Sequence, residues 1–228
     1  MTAFVLGATG FVGREVVRQL GARKTPTVAH IRPDSMRISD WRQKFAKSGA
    51  TIDTSPWDAG AIAQGLDKAK ATELYILIGT TRKRAAAERL DGDIYEQIDY
   101  GLTRLAVEAA TASTAKPRLV YLSGLGADAK ARGAYMRARG KAEDAVRGSG
   151  LPWVIARPAL ITGDRDDNRT GEKIAKVVGD GLLAVAGVFS KRTQQKWKST
   201  SADVLAAALI RLGESPEHDR VADGAELR

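Results

Sequence analysis

Apolar residues fall into short runs and into stripes with helical spacing, and the two alternate along the chain. The runs predict strands at Ala3–Leu6, Thr27–Ile31, Ala50–Thr54, Glu73–Ile78, Arg118–Ser123 and Trp153–Arg157. The longest stripe predicts a helix from Tyr95 to Ser113 that buries Ile98, Leu102, Leu105, Ala106 and Ala109. Strands that alternate with helices are typical of a parallel sheet covered on both faces. We therefore predict an α/β fold with a Rossmann-type doubly wound parallel sheet.

The other helical stretches predicted are Ser39–Ser48, Gly60–Leu66, Ala134–Arg147 and Ala202–Leu212, with a short edge strand near Val221. The segment 162–192 is glycine-rich, charged and less regular, with a short helix near 172–178. It follows the sixth predicted strand, so we interpret it as a lid over the substrate. The chain is thus expected to form one domain over residues 1–228 with a small C-terminal substrate lobe.

A glycine-rich turn joins the first strand to the first helix. It contains Gly7, Gly10 and Gly13, in the pattern GxxGxxG rather than GxGxxG. Between a strand and a helix, such glycines allow a tight turn, close approach of a pyrophosphate and tight packing of the helix. The first N–H groups of the helix then face the phosphates. We predict that residues 7, 9, 10, 11, 12 and 13 bind a dinucleotide, namely Gly7, Thr9, Gly10, Phe11, Val12 and Gly13.

Composition excludes several kinds of site. The chain has no cysteine and only two histidines, which excludes disulfides and thiol catalysis and makes a metal centre an unfavoured prediction. The net charge of +9 suits anionic small molecules, while 6% aromatic residues and the absence of a helix-turn-helix pattern argue against nucleic acid as a partner. No apolar run is long enough for a membrane span, and no signal peptide precedes the first strand. We expect a cytoplasmic protein, monomeric or homodimeric, that acts on a small molecule.

Arg32 follows the second predicted strand, where NAD-preferring enzymes usually place an acidic residue that holds the ribose 2′-hydroxyl. A guanidinium at this place can pair with a 2′-phosphate through two hydrogen bonds. The sequence therefore favours NADP(H) as the cofactor. The alternative is a solvated charge at the end of a strand.

Three further residues have the arrangement of a carbonyl-reduction site. Ser123 ends the fifth strand, Tyr135 opens the next helix, and Arg139 lies four residues later on the same helix face. The serine would polarise a carbonyl oxygen, the tyrosine would donate a proton, and the cation would favour the tyrosinate and bind ribose hydroxyls. Gly79 and Thr80, after the fourth strand, are expected to line the adenosine ribose and the pyrophosphate. The alternative is that Tyr135 and Arg139 are surface residues.

Five motifs in this order resemble the atypical short-chain dehydrogenase/reductases: GATGFVG, LIGTTR, LVYLSGLGAD, YMRARGKAE and RPALITGDR. The most similar branch contains the Tat-interacting-protein oxidoreductases and related bacterial NAD(P)H-binding proteins. The resemblance spans Thr2 to Asp203 and implies a Rossmann fold, NADP(H) and Ser–Tyr–Lys chemistry. It also implies that the backbone of Pro158, Ala159 and Leu160 flanks the nicotinamide and that Asp58 lies near the adenine.

One position departs from the family pattern, because Arg139 stands where the family has lysine. Arginine keeps the charge but cannot be deprotonated, so a proton relay through this position is lost. Two hypotheses follow. The first is an NADPH-dependent reductase for a small carbonyl or related substrate, and the second is a non-catalytic NADP(H)-binding regulator that senses redox state through a partner.

Overall fold

A parallel seven-stranded sheet forms the centre of the computed structural model, which describes residues 1–80, 93–162 and 199–228. The strands are β1 (Ala3–Leu6), β2 (Thr27–His30), β3 (Thr51–Asp53), β4 (Glu73–Ile76), β5 (Arg118–Leu122), β6 (Trp153–Arg157), β7 (Ile161–Thr162), β8 (Thr200–Ser201) and β9 (Arg220–Asp223). The strand order is β3-β2-β1-β4-β5-β6-β9, and β7 pairs with β8 in a separate two-stranded sheet. The predicted doubly wound fold is confirmed.

Strand β1 shows why apolar runs form the centre of such a sheet. All of its residues are buried, as expected of a strand covered on both faces. Successive side chains point to opposite faces, so Val5 packs in one apolar layer and Phe4 and Leu6 in the other. The two layers are the two halves of the core.

The helices divide between these two layers. They are α1 (Gly13–Ala22), α2 (Ile38–Lys47), α3 (Ala59–Ala69), α4 (Thr103–Ala112), α5 (Ala134–Arg147) and α6 (Ala202–Glu214), with a 3₁₀ turn at Gly224–Leu227. Buried residues of α1, α2 and α6 share one layer, and those of α3, α4 and α5 share the other. None of the helices in the described ranges has the length and apolar character of a membrane span.

The helix predicted from Tyr95 to Ser113 differs from the expectation in one important way. Its first part, Tyr95–Leu102, is a π-helix that continues into α4. The wider π turn shifts which side chains face the sheet, because its hydrogen bonds span five residues instead of four. Asp99 and Thr103 are therefore fully buried, whereas Ile98, Leu102 and Leu105 are only partly buried. The predicted apolar stripe is thus confirmed only in part, because these three residues pack against the core without full burial, while Ala106 and Ala109 are fully buried.

The order of the strands reverses beside β1, which lies between β2 and β4. In open α/β sheets, ligands bind at such a switch point, outside the carboxyl ends of the strands. Gly7, Arg32, Gly79, Ser123 and Pro158 all lie at this edge, since each follows a strand of the parallel sheet within a few residues. The predicted lid at 162–192 lies outside the described residues except for Thr162.

Candidate functional site: the carboxyl edge of the sheet

The glycine turn has the close approaches that the sequence predicts. Gly7 has a φ of +80°, and a Cβ added there would lie 2.5 Å from the Leu77 carbonyl oxygen. The Gly10 N–H donates to the Gly7 carbonyl at 2.9 Å, and a Cβ on Gly13 would lie 2.1 Å from that same oxygen. Helix α1 begins at Gly13 without a side-chain cap. The turn therefore brings bare backbone and a helix N-terminus to one point, which suits a pyrophosphate.

Residues 9, 11 and 12 complete this turn. Thr9 and Phe11 are half-buried, while Val12 is 6% exposed and packs its side chain in the core layer. Val12 can therefore meet a ligand only through its backbone. Their assignment to cofactor binding stays a prediction.

Arg32 lies two residues beyond the end of β2. Strand β2 pairs with β1, which leads into the glycine turn. Its side chain is 36% exposed, and its Nε lies 3.7 Å from Oδ1 of Asp34. Asp34 is well exposed, so water weakens this pairing. The guanidinium is thus placed at the sheet edge where the 2′ position of an adenosine ribose is expected.

A buried ion pair lies beside the segment that follows β4. Nη2 of Arg139 is 2.8 Å from Oδ1 of Asp99, with both side chains at most 7% exposed. The Thr80 N–H donates to Oδ2 of Asp99 at 3.2 Å. A Cβ added to Gly79 would lie 2.5 Å from Nη2 of Arg139. The guanidinium therefore occupies the space that a side chain at position 79 would need, which the sequence does not reveal.

The other donors of Arg139 are also directed into the protein. Nη1 donates to the Leu122 carbonyl at 2.7 Å and to the Tyr121 hydroxyl at 3.2 Å. Burial raises the pKa of Tyr121, which keeps this hydroxyl neutral. Nη1 of Arg139 thus donates to protein oxygens, Nη2 faces the Asp99 carboxylate, and the buried Nε–H has no acceptor among the residues that the structure describes. In this placement the terminal nitrogens do not reach for ribose hydroxyls as predicted.

Asp99 is the acidic partner in this cluster. Burial raises its pKa, and the charge of Arg139 opposes that rise. Because a buried charge is costly unless it is paired, the two residues depend on each other.

Tyr135 shares a face of α5 with Arg139, as their four-residue spacing predicts. Cζ of Arg139 lies 5.3 Å from the Tyr135 ring centroid. The ring also packs edge-on against Tyr95, with 5.4 Å between centroids. A Cβ added to Gly124 would lie 3.6 Å from the Tyr135 hydroxyl, so this hydroxyl stands at the end of β5. The half-buried phenol is suitably placed at the ligand edge to donate a proton.

Ser123 differs from its predicted role. It is 4% exposed, and its hydroxyl donates at 2.5 Å to Oε1 of Glu143, which is fully buried. Glu143 also accepts from Arg147 at 2.7 Å and pairs with Arg157. A hydroxyl has one proton to donate, so Ser123 cannot donate to a substrate carbonyl while it donates to Glu143.

The remaining predicted positions have these surroundings. The carbonyl of Pro158 accepts from the Leu125 N–H and that of Leu160 accepts from the Thr200 N–H, both at 2.9 Å, so Pro158, Ala159 and Leu160 run between two anchored points. The side chain of Asp58 caps α3 by accepting from the Ala61 N–H at 2.9 Å. Proximity of Asp58 to an adenine stays a prediction.

Sequence reasoning missed Asp99, Tyr121 and Glu143. Tyr121 lies in an apolar strand, which predicts a core residue, whereas Asp99 and Glu143 are charged residues of helices, which predicts exposure to solvent. One signal was present for Glu143, because it directly follows Ala142 and precedes Val146 on the buried face of α5. A charged residue in such a stripe predicts a buried partner.

Comparisons with known proteins indicate that the chain binds a nicotinamide nucleotide. A family model described as NAD(P)H-binding matches residues 7–188. The mitochondrial protein FMP52 of Candida albicans is 30% identical over 189 residues, which are 79% of this chain and 76% of that protein. The mitochondrial protein fmp52 of Emericella nidulans is 28% identical over 228 residues, covering 97% and 91%.

Solved structures share the fold at low sequence identity. ChuY, an anaerobillin reductase from Escherichia coli O157:H7, matches with a TM-score of 0.64 and 20% identity, covering 97% of this chain and 95% of that chain. The Bordetella bronchiseptica enzyme WbmH, solved in complex with NAD⁺, matches with a TM-score of 0.65 and 16% identity, covering 99% and 77%. At this identity they show the fold alone.

These comparisons correct one expectation. The cytoplasmic location expected from the sequence is wrong on this comparison, because the curated relatives are named as mitochondrial proteins. The absence of cysteine was a weak basis for that expectation, since it does not distinguish the two compartments.

Proposed function

We propose that this chain, which belongs to the NAD(P)H-binding family, is an NADP(H)-dependent reductase of the atypical short-chain dehydrogenase type that acts on a small carbonyl or related substrate. The observation that carries the proposal is the position of Tyr135. Its hydroxyl stands beside Gly124 at the carboxyl edge of the sheet, with the Arg139 cation 5.3 Å from its ring, at the same edge as the glycine turn.

The residues of the glycine turn fit a dinucleotide. A Cβ at Gly7 or Gly13 would fall within 2.5 Å of a backbone oxygen, so neither position can carry a side chain without movement of the backbone. Gly7, Gly10 and Gly13 would hold the pyrophosphate, with the N-terminus of α1 directed at its charge. The nicotinamide cofactor supplies a hydride when it is bound.

Arg32 supports NADP(H) over NAD(H). We expect NADPH to bind more tightly than NADH, because one charged hydrogen bond to the 2′-phosphate contributes about 1.5–3 kcal/mol and partial exposure lowers this toward the smaller value. Arg32→Ala should then weaken NADPH binding about tenfold and leave NADH binding unchanged. Dissociation constants measured by fluorescence titration test this, with Arg42→Ala on α2 as a control that removes the same charge. Equal affinities of the wild-type protein for NADPH and NADH would contradict the choice of cofactor.

Tyr135 is the proposed proton donor. The cofactor would supply the hydride for the carbonyl carbon, and the Tyr135 hydroxyl would give its proton to the carbonyl oxygen, so that the product is an alcohol. The phenolate left behind is stabilised by the Arg139 charge beneath the ring. Ser123 has no step here, because its proton is used by Glu143.

The test of this mechanism is NADPH oxidation across a panel of small aldehydes, ketones and activated alkenes. Tyr135→Phe should lower kcat by about 10²–10⁴-fold and leave the NADPH dissociation constant within about twofold. Tyr100→Phe is the matched control, since it also removes one phenol from a partly buried ring. Turnover that survives Tyr135→Phe would remove Tyr135 from the mechanism.

The second hypothesis, a non-catalytic NADP(H)-binding regulator, is not favoured by the solved neighbours, which include the reductase ChuY. Its distinguishing outcome is tight NADPH binding with no turnover anywhere in the panel.

We propose a small-molecule substrate and a monomer or homodimer as the working state. Size-exclusion chromatography with light scattering would test the oligomeric state.

A further inference from the structure

A second aromatic ring lies beside the proposed proton donor. The ring of Tyr95 packs edge-on against that of Tyr135, with 5.4 Å between their centroids. Both side chains are only half-buried, so each keeps surface that is accessible from outside. The Tyr135 hydroxyl stands next to Gly124 at the carboxyl edge of the sheet. Tyr95 thus borders the place where the proposed mechanism puts the substrate carbonyl.

Tyr95 is the first residue of the π-helix Tyr95–Leu102, and its backbone is capped. Oδ1 of Asp93 accepts the N–H groups of Tyr95 and Glu96, both at 3.1 Å. This carboxylate satisfies two of the N–H groups that the start of a helix leaves without a partner. Segments of π-helix are rare and are often found at functional sites. The ring of Tyr95 is therefore presented from a capped helix start.

Ion pairs join the start of this π-helix to α5. Among the described residues they are Asp93–Arg137 at 3.8 Å, Glu96–Lys141 at 2.7 Å and Asp99–Arg139 at 2.8 Å. The first two pairs are partly exposed and contribute little individually. The third is buried and keeps its geometry, because neither charge can be left alone in the core. The contact between Tyr95 and Tyr135 is therefore part of the fold and needs no ligand to form it.

The chemistry of the Tyr95 ring indicates which substrates suit it. Aromatic rings attract one another at about 4.5–7 Å between centroids, edge-to-face or offset, in addition to the burial of apolar area. A saturated group gains only the burial. A flat ring attached to the carbonyl can therefore gain more from Tyr95 than a puckered ring of the same size.

We propose that Tyr95 is a specificity-determining residue that forms an aromatic wall of the substrate site and favours carbonyl compounds conjugated to a planar ring. Tyr135 gives the proton to the carbonyl oxygen, and Tyr95 orients the ring that carries the carbonyl. This inference deepens the proposed function and rests on it, since it takes Tyr135 as the group that the carbonyl oxygen contacts.

The experiment compares the binding of acetophenone and cyclohexyl methyl ketone, which have the same number of carbon atoms and differ in the planarity of the ring. Dissociation constants are measured by NMR titration with and without NADP⁺, which has no hydride to transfer, so the ketones bind without reacting. We expect the wild-type protein to bind acetophenone about fivefold more tightly. Tyr95→Leu should reduce this difference to less than about twofold, and Tyr95→Phe, which keeps the ring, should preserve it.

Tyr100→Leu is the matched control. Tyr100 is also a half-buried tyrosine of the π-helix, and Nζ of Lys141 lies 5.6 Å from its ring centroid. Lys141 is six residues beyond Tyr135 on α5, or about 9 Å along the helix, so Tyr100→Leu should leave the preference unchanged. Melting temperatures are measured in parallel, and Tyr95→Met takes the place of Tyr95→Leu if the leucine variant folds poorly.

Equal affinities of the wild-type protein for the two ketones would overturn the inference, as would binding of neither. A preference that survives the loss of the Tyr95 ring, or that Tyr100→Leu abolishes equally, would also overturn it. The proposed function fails on different results. Absence of NADPH binding refutes the cofactor, and NADPH binding without turnover across the carbonyl panel refutes the reductase, while the ketone titrations still decide the role of Tyr95.

Discussion

Replacing Gly79 by alanine tests the packing around the buried ion pair most directly. The backbone of Gly79 is not in the left-handed region, so an alanine can adopt its conformation. The added Cβ would nevertheless lie 2.5 Å from Nη2 of Arg139 and 3.5 Å from Oδ1 of Asp99. The end of an arginine usually moves away from such a contact at little cost. Here that movement is costly, because hydrogen bonds to Tyr121 and to the Leu122 carbonyl hold the guanidinium from the other side.

The expected loss of stability follows from the interactions that the Arg139 guanidinium would lose. Moving Nη2 to an ordinary contact distance costs about one charged hydrogen bond, or about 1.5–3 kcal/mol. Alanine raises the free energy of unfolding by about 0.4–1 kcal/mol, because it lowers the conformational entropy of the unfolded chain. We therefore expect Gly79→Ala to lower the free energy of unfolding by about 1–2 kcal/mol, which lowers the melting temperature of a chain this size by roughly 2–8 °C.

Urea unfolding of Gly79→Ala, Arg139→Met and the double variant measures this coupling. In the Arg139→Met background the clashing nitrogen is gone, so the alanine should cost less than about 0.5 kcal/mol. Gly133→Ala is the steric control, since its added Cβ meets nothing within 4 Å. An equal cost of Gly79→Ala in both backgrounds, or no cost in the wild-type protein, would refute the reasoning.

Three further predictions concern single side chains. Ser123→Ala should cost about 1–3 kcal/mol of stability in urea unfolding, because buried Glu143 loses a donor, while kcat falls less than tenfold. Burial lowers the pKa of His30 below its usual value near 6.5, so the unfolded chain binds more protons and stability falls as the pH drops below about 6.5, by at most about 1.4 kcal/mol per pH unit. His30→Phe should remove that dependence in melting curves from pH 8 to pH 5, and His218→Gln should keep it. Asp58→Ala should cost about 1 kcal/mol in the same urea assay, through loss of the cap on α3.

Each of these has a clear contrary result. A loss of about 10²-fold or more in kcat for Ser123→Ala would restore it as a group that stabilises the reacting carbonyl. An unchanged pH dependence in His30→Phe would assign acid sensitivity to other groups. For Asp58→Ala, a loss in the free energy of unfolding below about 0.3 kcal/mol would show that the cap contributes little. Asp40→Ala on α2 provides the comparison, because Asp40 is also an exposed acid near the start of a helix.

The features that could be predicted from the sequence are those that depend on neighbours along the chain. The glycine turn and the helix after it follow from local rules, since close backbone approach and a helix start need particular residues at particular spacings. Helix α5 has the predicted limits, Ala134–Arg147, because Gly148 and Gly150 close it. The four-residue spacing of Tyr135 and Arg139 likewise places them together without any knowledge of the rest of the fold.

Tertiary structure alone decided what those side chains touch. The π turn rotates Asp99 into the core, where it meets an arginine that is distant in sequence, and nothing in the local pattern reveals this meeting. Glu143 likewise accepts the hydrogen bond of Ser123 only in the folded chain, since Ser123, Arg147 and Arg157 meet it after the sheet is assembled. The sequence by itself determined the architecture and the presence of a nucleotide cradle, because hydrophobic periodicity and backbone sterics act locally. Which donors and charges remain for a ligand depends on pairing between distant segments, and only the folded chain settles that.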